Sequence, residues 1–459
     1  MLLSFSLSNF RSFFGEQTLS LVASPRHSDH PEHLVTVPNL EQKLLPIAVI
    51  YGANGAGKSN LINGLRFVEQ LVLEGTEPKS KIGSKPFLLG KDTAQKESAF
   101  EIRFVNEQHV FTFGFTLNDS TILTEWLSLM SGDKEQSIYE RVTNTDNSVK
   151  IEAGKVLTDL KHGDHSKIVA LAEIGTRSNQ LFLATIRENI DDISQGPLVK
   201  AALDWFASVL TIIEAESHFG GLAKWLTEDD VFKEFAGDFL REASTGVGAL
   251  RASNIKLSEE QLKNMPASIA KLIEEAAERK ENSSFAFGDD DTELIVEKGK
   301  DSQLSLRVIH SIHKRSDGEI AVLPFEEESD GTKRLARLIP ALYKAKKQNH
   351  VFVVDELDRS LHPSLSKKFL ECFLRLCGGK ESQLIVTTHE SNLMDLDILR
   401  RDELWFAEKD AASASSLYSL SDFKIRKDLK IDKGYLQGRF GAIPFLGNLD
   451  QLCTGPKSR

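Results

Sequence analysis

Ile47-Ala-Val-Ile-Tyr-Gly52-Ala-Asn-Gly55-Ala-Gly57-Lys58-Ser59-Asn60 is the stretch whose reading decides the fold. An apolar run enters a loop rich in glycine, and the residues from Ser59 to Leu73 then repeat apolar side chains at helical spacing. Strand, glycine loop and helix form the context that a phosphate-binding loop requires. Small residues let backbone N–H groups wrap phosphate oxygens, and the helix N-terminus adds a favourable dipole. In this reading Gly52, Asn54, Gly55, Ala56, Gly57 and Asn60 shape the loop, Lys58 reaches the β/γ-phosphates and Ser59 holds Mg2+.

The acidic partner of this loop stands far downstream. Val351-Phe-Val-Val-Asp355-Glu356 is a buried-type strand that ends in two carboxylates. Asp355 is placed to orient a Mg2+-bound water, and Glu356 to act as general base toward the attacking water. A solvated acidic turn is the plainer alternative, and the apolar run before the pair argues against it. Leu384-Ile-Val-Thr-Thr-His389 is a second such strand, with a histidine at its tip that could meet a γ-phosphate or the water. Ser329-Asp330-Gly331-Thr332 opens a further helix. It reads either as an ordinary N-cap or as an anion-binding surface for a nucleotide held by a second copy.

Working outward, residues 1–160 are expected to form the first half of a nucleotide-binding head, with strands at Leu2–Leu7 and Thr18–Ala23 and an antiparallel β lobe over 98–150. Residues 161–290 are expected to be a mostly helical insertion. Its helical runs are Ala201–Leu210 and Ala267–Lys280, with Ser258 and Gln261 as a capping box and Glu281–Asp291 as a loop. Residues 291–425 return to the head, and 426–459 form a tail. The fold class is therefore α/β, a P-loop head with a mixed sheet and an antiparallel β subdomain, interrupted by an insertion.

Bulk properties fit a globular protein: 41% hydrophobic and 27% charged residues, with no apolar run long enough to span a bilayer. Three cysteines (Cys372, Cys377, Cys453) give neither a metal pattern nor a disulfide framework, so a reducing cytoplasmic setting is expected. A net charge of −11 argues against a surface that binds nucleic acid everywhere, while leaving room for a local basic groove such as Lys424–Lys430. Asp395, Asp397, Asp402 and Asp410 read as surface turns, not a nuclease centre. Arg439, between Gly438 and Gly441, reads as a turn or a partner contact.

These motifs together resemble the ABC-type ATPases of the RecF, SMC and overcoming-lysogenization-defect (OLD) class. More closely, the chain resembles the AAA15 family of ABC-like ATPases found in bacterial anti-phage and abortive-infection loci. The resemblance rests on Leu7-Ser-Asn-Phe-Arg-Ser-Phe13, Ile50–Asn60, Glu328-Ser-Asp-Gly-Thr-Lys-Arg334, Val354-Asp-Glu-Leu-Asp-Arg-Ser-Leu-His-Pro363, Thr387-Thr-His-Glu390 and Gly434–Pro444. It implies that Ser329, Asp330 and Gly331 complete the ATP site of a partner copy, with Asp330 standing where the usual form has glycine. It also implies that Asp358 couples two sites across a dimer, that His389 is the switch histidine and that Arg11 contacts phosphates. ATP and Mg2+ are the implied cofactors, and a homodimer or higher oligomer that sandwiches ATP is the implied assembly. The place of the Mg2+-sensing glutamine stays open, since Gln70 lies within the first helix.

Two functions follow from the resemblance. One is an ATP-hydrolysing switch that controls a separate effector, often a Toprim-type or RloB-like nuclease encoded nearby, in response to DNA or a phage product. The other is a RecF/SMC-like DNA-repair ATPase, against which net acidity and the lack of a long coiled coil both argue. A transporter ATPase leaves the Asn9-Phe-Arg11 strand and the insertion without a role. A small-molecule kinase leaves Glu356 and the Ser329 helix without one.

Overall fold

The computed structural model describes residues 1–132, 134–158, 164–190, 197–215, 222–256, 283–286, 292–296, 304–347, 349–425 and 430–443. The chain divides into two compact units. The first comprises Met1–Ile212, Gln348–Leu357 and Leu370–Arg459, and the second Ile213–Lys347 and Asp358–Phe369.

The first unit contains two sheets. One is antiparallel throughout, in the order β2 (Gln17–Ser20), β1 (Leu2–Ser8), β4 (Ser98–Asn106), β5 (His109–Leu117), β6 (Ile122–Ser131), β7 (Lys134–Thr143) and β8 (Val149–Ala153). Alternation in Leu2-Leu-Ser-Phe-Ser-Leu and Phe100-Glu-Ile-Arg-Phe sends Phe5, Leu7, Phe100, Ile102 and Phe104 to one face. That face belongs to the same core as Leu61, Leu65 and Val68 of the helix Lys58–Leu73.

The other sheet is mixed, in the order β18 (Ser415–Ser419), β17 (Leu404–Lys409), β3 (Ile47–Tyr51), β16 (Gln383–Thr387), β15 (Val351–Val354) and β9 (Leu210–Ile213). β17, β3, β16 and β15 run parallel, and β18 is antiparallel to β17. Every residue of β3, β15 and β16 is buried, which accounts for their continuous apolar character. The parallel register places the residues that follow β3, β15 and β16 along one edge of the sheet. In open α/β sheets that edge, at the carboxyl ends of the strands, is where ligands bind.

The second unit is built on an antiparallel sheet ordered β10 (Ala249–Lys256), β13 (Leu304–Lys314), β12 (Thr292–Val296), β11 (Ser283–Ala286), with β14 (Ile320–Pro324) also on β13. The helices Leu222–Glu228, Asp230–Glu242 and Asp330–Lys347 accompany it. Asp229 caps the second of these by accepting the Phe232 N–H at 2.9 Å, and also accepts the Tyr343 hydroxyl at 2.9 and 2.8 Å. Trp225, Phe232 and Tyr343 pack edge to face around that cap.

The expected strands at 2–7, 47–51, 351–354 and 384–387, the antiparallel strands within 98–150, and the expected helices from Ser59 and after Ser329 are present. The stretch expected to be mostly helical also contributes β9, β10 and β11, and β11 is a strand paired with β12 where a loop was expected over Glu281–Asp291. The helix Pro197–Asp204 passes through a π turn at Trp205–Val209 and gives way to β9 at Leu210, where β-branched residues begin. The capping box at Ser258 and Gln261, the helix from Ala267 and most of the Lys424–Lys430 patch lie outside the described residues. No described helix is long and apolar enough to cross a membrane.

Candidate functional site

The loop after β3 is held open by glycine. Gly57 has φ +112°, and a Cβ there would stand 2.3 Å from Ser415 Oγ and 2.8 Å from Ser12 Oγ. Asn54 and Gly55 form the exposed crest, while Ala56, Gly57 and Lys58 are buried and Ser59 and Asn60 are half-buried. The Lys58 ammonium donates to Gly52 O at 2.8 Å and Ala53 O at 3.2 Å, and so curls over its own loop. It also lies 3.4 Å from His389 Nδ1. An ammonium can only donate, so in that contact the imidazole Nδ1 is the acceptor.

Asp355 follows β15 directly and is 7% exposed. Thr387, the last residue of the neighbouring β16, donates its hydroxyl to Asp355 Oδ1 at 2.5 Å. Thr387 Oγ1 in turn accepts the Glu356 N–H at 2.8 Å. Glu356 has φ +50°, an uncommon conformation for a side-chain-bearing residue, and the Thr387 bond holds its amide there. Leu357 N–H then donates to Thr387 O at 3.0 Å. One buried threonine thus ties the Asp355 carboxylate to the backbone of Glu356. Two residues later the exposed His389 follows the buried Thr388, whose N–H donates to Ile50 O of β3 at 3.1 Å.

Arg11 reaches the site through a turn that the sequence motif encodes. Asn9 (φ +47°) and Arg11 (φ +50°) both occupy left-handed backbone. The buried Asn9 amide donates to Thr93 O at 3.0 Å and Lys96 O at 2.9 Å, and accepts from Phe87 N–H at 3.2 Å, which fixes the turn. Arg11 Nη1 donates to Asn60 Oδ1 at 3.5 Å, and Asn60 Nδ2 donates to Ser12 Oγ at 2.9 Å. Ser415 donates its hydroxyl to Ala56 O at 2.7 Å and meets the Ser12 hydroxyl at 2.8 Å, closing the network under the loop.

Arg11, the Gly52–Asn60 loop, Asp355, Glu356 and His389 therefore all belong to the first unit; the parallel sheet brings the loop, Asp355, Glu356 and His389 to one edge, and the turn after β1 brings Arg11 to Asn60. Ser329, Asp330, Gly331 and Asp358 belong to the second. There Ser329 Oγ accepts Thr332 N–H at 3.2 Å and so caps its own helix. A Cβ on Gly331 would stand 2.6 Å from Ser360 O, so the start of this helix packs closely on the segment after Asp358. Gln70 is exposed on the first helix.

Thr387, Ser12 and Ser415 escaped the sequence reading as site residues. Thr387 and Ser12 stand inside quoted motifs, where spacing gives them no separate role, and nothing near Ser415 signals its contact with the loop. One expectation is corrected. Asp402 is no surface turn: it is 5% exposed and pairs with the buried Arg400 at 2.9 Å from both Nε and Nη2. Asp395, Asp397 and Asp410 do sit in turns, where Asp395 accepts from Asp397 N–H and Asp410 from Ala412 and Ala414 N–H. The Arg439 segment is a turn after the helix Ile431–Leu436. A Cβ on Gly441, at φ +69°, would stand 2.6 Å from the Tyr418 hydroxyl.

A phosphate loop opening a helix, backed by a parallel sheet with an acidic strand end and an antiparallel β lobe, defines an ABC/AAA-type ATPase head. The chain belongs to the family described as "AAA domain, putative AbiEii toxin, Type IV TA system", whose model matches residues 47–151 and 194–395. Membership of an AAA ATPase family implies ATP binding and hydrolysis.

Among solved structures, the chain is similar to an Smc head bound to the C-winged helix domain of ScpA, with 14% identity, a TM-score of 0.35, and 91% of this chain and 97% of that one covered. An SMC head domain from Thermotoga maritima gives 12% identity and a TM-score of 0.36, over 92% and 99%. An Smc head with extended coiled coil, bound to the C-terminal domain of ScpA derived from Pyrococcus furiosus, gives 12% identity and 0.35, over 95% and 98%. No curated protein matches.

Proposed function

We propose that this chain is an ATP-hydrolysing switch subunit of a bacterial anti-phage system, which forms ATP-sandwich dimers and controls a separate effector. The observation that carries this reading is the Thr387 hydroxyl, which donates to Asp355 and accepts the Glu356 N–H, beside Lys58 and His389 at one sheet edge. The residues fit Mg-ATP: Lys58 is buried against its own loop, Gly57 leaves no room for a side chain, and Asp355 is an enclosed carboxylate beside the loop strand's neighbour. Bound Mg-ATP would supply the phosphoanhydride to be cleaved and a divalent charge to offset its oxygens.

In this reading Lys58, Arg11 and the loop amides bind phosphate oxygens, with Asn54, Gly55 and Ala56 at the loop crest and Asn60 bracing Arg11. Ser59 and Asp355 hold the ion side of the site. Glu356 accepts a proton from water, and His389 orients around the Lys58 ammonium. Ser329, Asp330 and Gly331 complete the site of a second copy, with Asp358 as the coupling residue. The family's toxin–antitoxin and abortive-infection association supports an effector-controlling role, and a Toprim- or RloB-like nuclease is the effector class proposed.

The test is the mass of the Glu356→Gln protein with and without Mg-ATP, co-expressed with the products of adjacent genes. The expected result is an ATP-stabilised assembly that carries one of those products. An ATP-bound assembly that takes no partner and shifts DNA instead would replace this reading with the DNA-repair one.

A further inference from the structure

We propose that His30, Glu32 and His33 bind a zinc ion. The segment Ser28-Asp-His30-Pro-Glu32-His33 lies between β2 and β3 and contains none of the residues assigned to nucleotide. A short 3-10 turn over Pro31–His33 gathers the three side chains, so that one ligand atom of each lies within 4.8 Å of the other two. The two imidazoles stack with centroids 5.0 Å apart.

What separates this cluster from a chance grouping is the support behind it. His30 Nε2 bonds Leu396 O at 2.8 Å, and His33 Nδ1 bonds both oxygens of Glu403, at 2.9 and 3.2 Å. Glu403 is fully buried and also accepts Arg400 N–H at 2.7 Å, so its carboxylate cannot swing away. Metal-binding histidines characteristically anchor their second nitrogen on a carbonyl or a carboxylate, which fixes the tautomer and raises the basicity of the other nitrogen. Here that leaves Nδ1 of His30 and Nε2 of His33 as lone-pair donors. Glu32 Oε1 stands 3.2 Å from His30 Nδ1, a contact that needs a proton on Nδ1, and an ion would displace that proton to bind the lone pair.

Two imidazoles and one carboxylate form a donor set suited to zinc and poorly suited to Mg2+ or Ca2+, which prefer oxygen alone. Glu32 is 65% exposed on its side chain whereas His33 is buried, so a fourth position opens to water on the Glu32 side. The ion would clamp the β2–β3 segment to Leu396 and Glu403, the residues that lead into β17. β17 pairs with β3, the strand that feeds the phosphate loop. The proposal does not depend on the ATPase reading.

The test is Zn2+ titration of the full untagged chain against a chromophoric chelator, with Co2+ substitution as a spectroscopic probe. Removing His33 would strand Glu403 in the interior, so the variants are Glu32→Gln and His30→Gln, each checked for an intact melting transition. The wild type should hold one zinc per chain. Each variant should weaken it by more than the ~10–100-fold that loss of a supporting partner alone costs. Co2+ should give visible d–d bands without thiolate charge transfer, and the variants should lose them. A wild type that takes no zinc from the chelator, or folded variants that bind it as tightly as the wild type, would overturn the proposal.

Discussion

Replacing Thr387 by valine changes one atom's chemistry and almost none of the shape. The side chain is fully buried, so the isostere keeps the packing at the end of β16. It removes the hydroxyl that Asp355 accepts at 2.5 Å and the acceptor that Glu356 N–H uses at 2.8 Å. A hydrogen bond to a charged group contributes about 1.5–3 kcal/mol, and a buried donor left without a partner costs about 1–3 kcal/mol. With partial relaxation the loss is on the order of 3 kcal/mol. Each 1.36 kcal/mol of barrier is tenfold in rate, so turnover should fall by about 100-fold if the loss is felt at Glu356 in the transition state. ATP affinity should change little, because the Lys58 contacts and the glycine loop are untouched. The assay is steady-state phosphate release together with calorimetric ATP binding, with Thr387→Ser, which keeps the hydroxyl, as the control. A Thr387→Val protein that turns over ATP at the wild-type rate would refute the claim that these bonds hold Asp355 and the Glu356 backbone in place for turnover.

Other expectations are equally direct. Gly57→Ala forces a Cβ against Ser415 and Ser12 at a backbone angle that alanine avoids, so it should abolish nucleotide binding in a calorimetric titration while the melting transition persists. Ser329→Ala should leave ATP binding per chain unchanged but prevent ATP-driven dimerisation in light scattering, at a stability cost of about 1 kcal/mol from the lost cap. Burial raises the Glu69 carboxyl to about 7. Its folded pKa lies above the unfolded value, so the folded state holds the extra proton and stability falls as pH rises from about 4.5 to 7. Glu69→Gln should therefore raise the melting temperature at pH 8, by a stability on the order of 1 kcal/mol, and leave it little changed at pH 4.

Much of the head was legible because its signals are local. Ile47–Tyr51 and Val351–Val354 are continuous apolar runs, which only a sheet covered on both sides explains, and the glycine loop permits one placement between strand and helix. The β lobe was legible for the same reason, since period-two alternation in Phe100–Phe104 and Val110–Phe115 sets both strand and buried face. What stayed hidden depends on tertiary contacts. Thr387 looks like any strand-end threonine until β16 lies beside β15, and Ser415 has no pattern at all before β18 pairs with β17. Asp402 read as a turn because Arg400, two residues before it, gives no hint that the pair is buried. β10 was obscured because Ala249-Leu-Arg-Ala-Ser-Asn alternates weakly and draws its strand character from eight register pairs with β13. The His30–His33 cluster was likewise invisible without Glu403 and Leu396, which come from the other end of the chain.

The central claim is that one nucleotide site, split in sequence across the insertion, hydrolyses ATP through Glu356. The most direct measurement is single-turnover phosphate release from Mg-ATP by the wild type and by Glu356→Gln at equal bound nucleotide. The account predicts release by the wild type, and a Glu356→Gln protein that binds ATP as tightly but retains it uncleaved. Equal release by the two proteins, or no ATP binding by either, would contradict it.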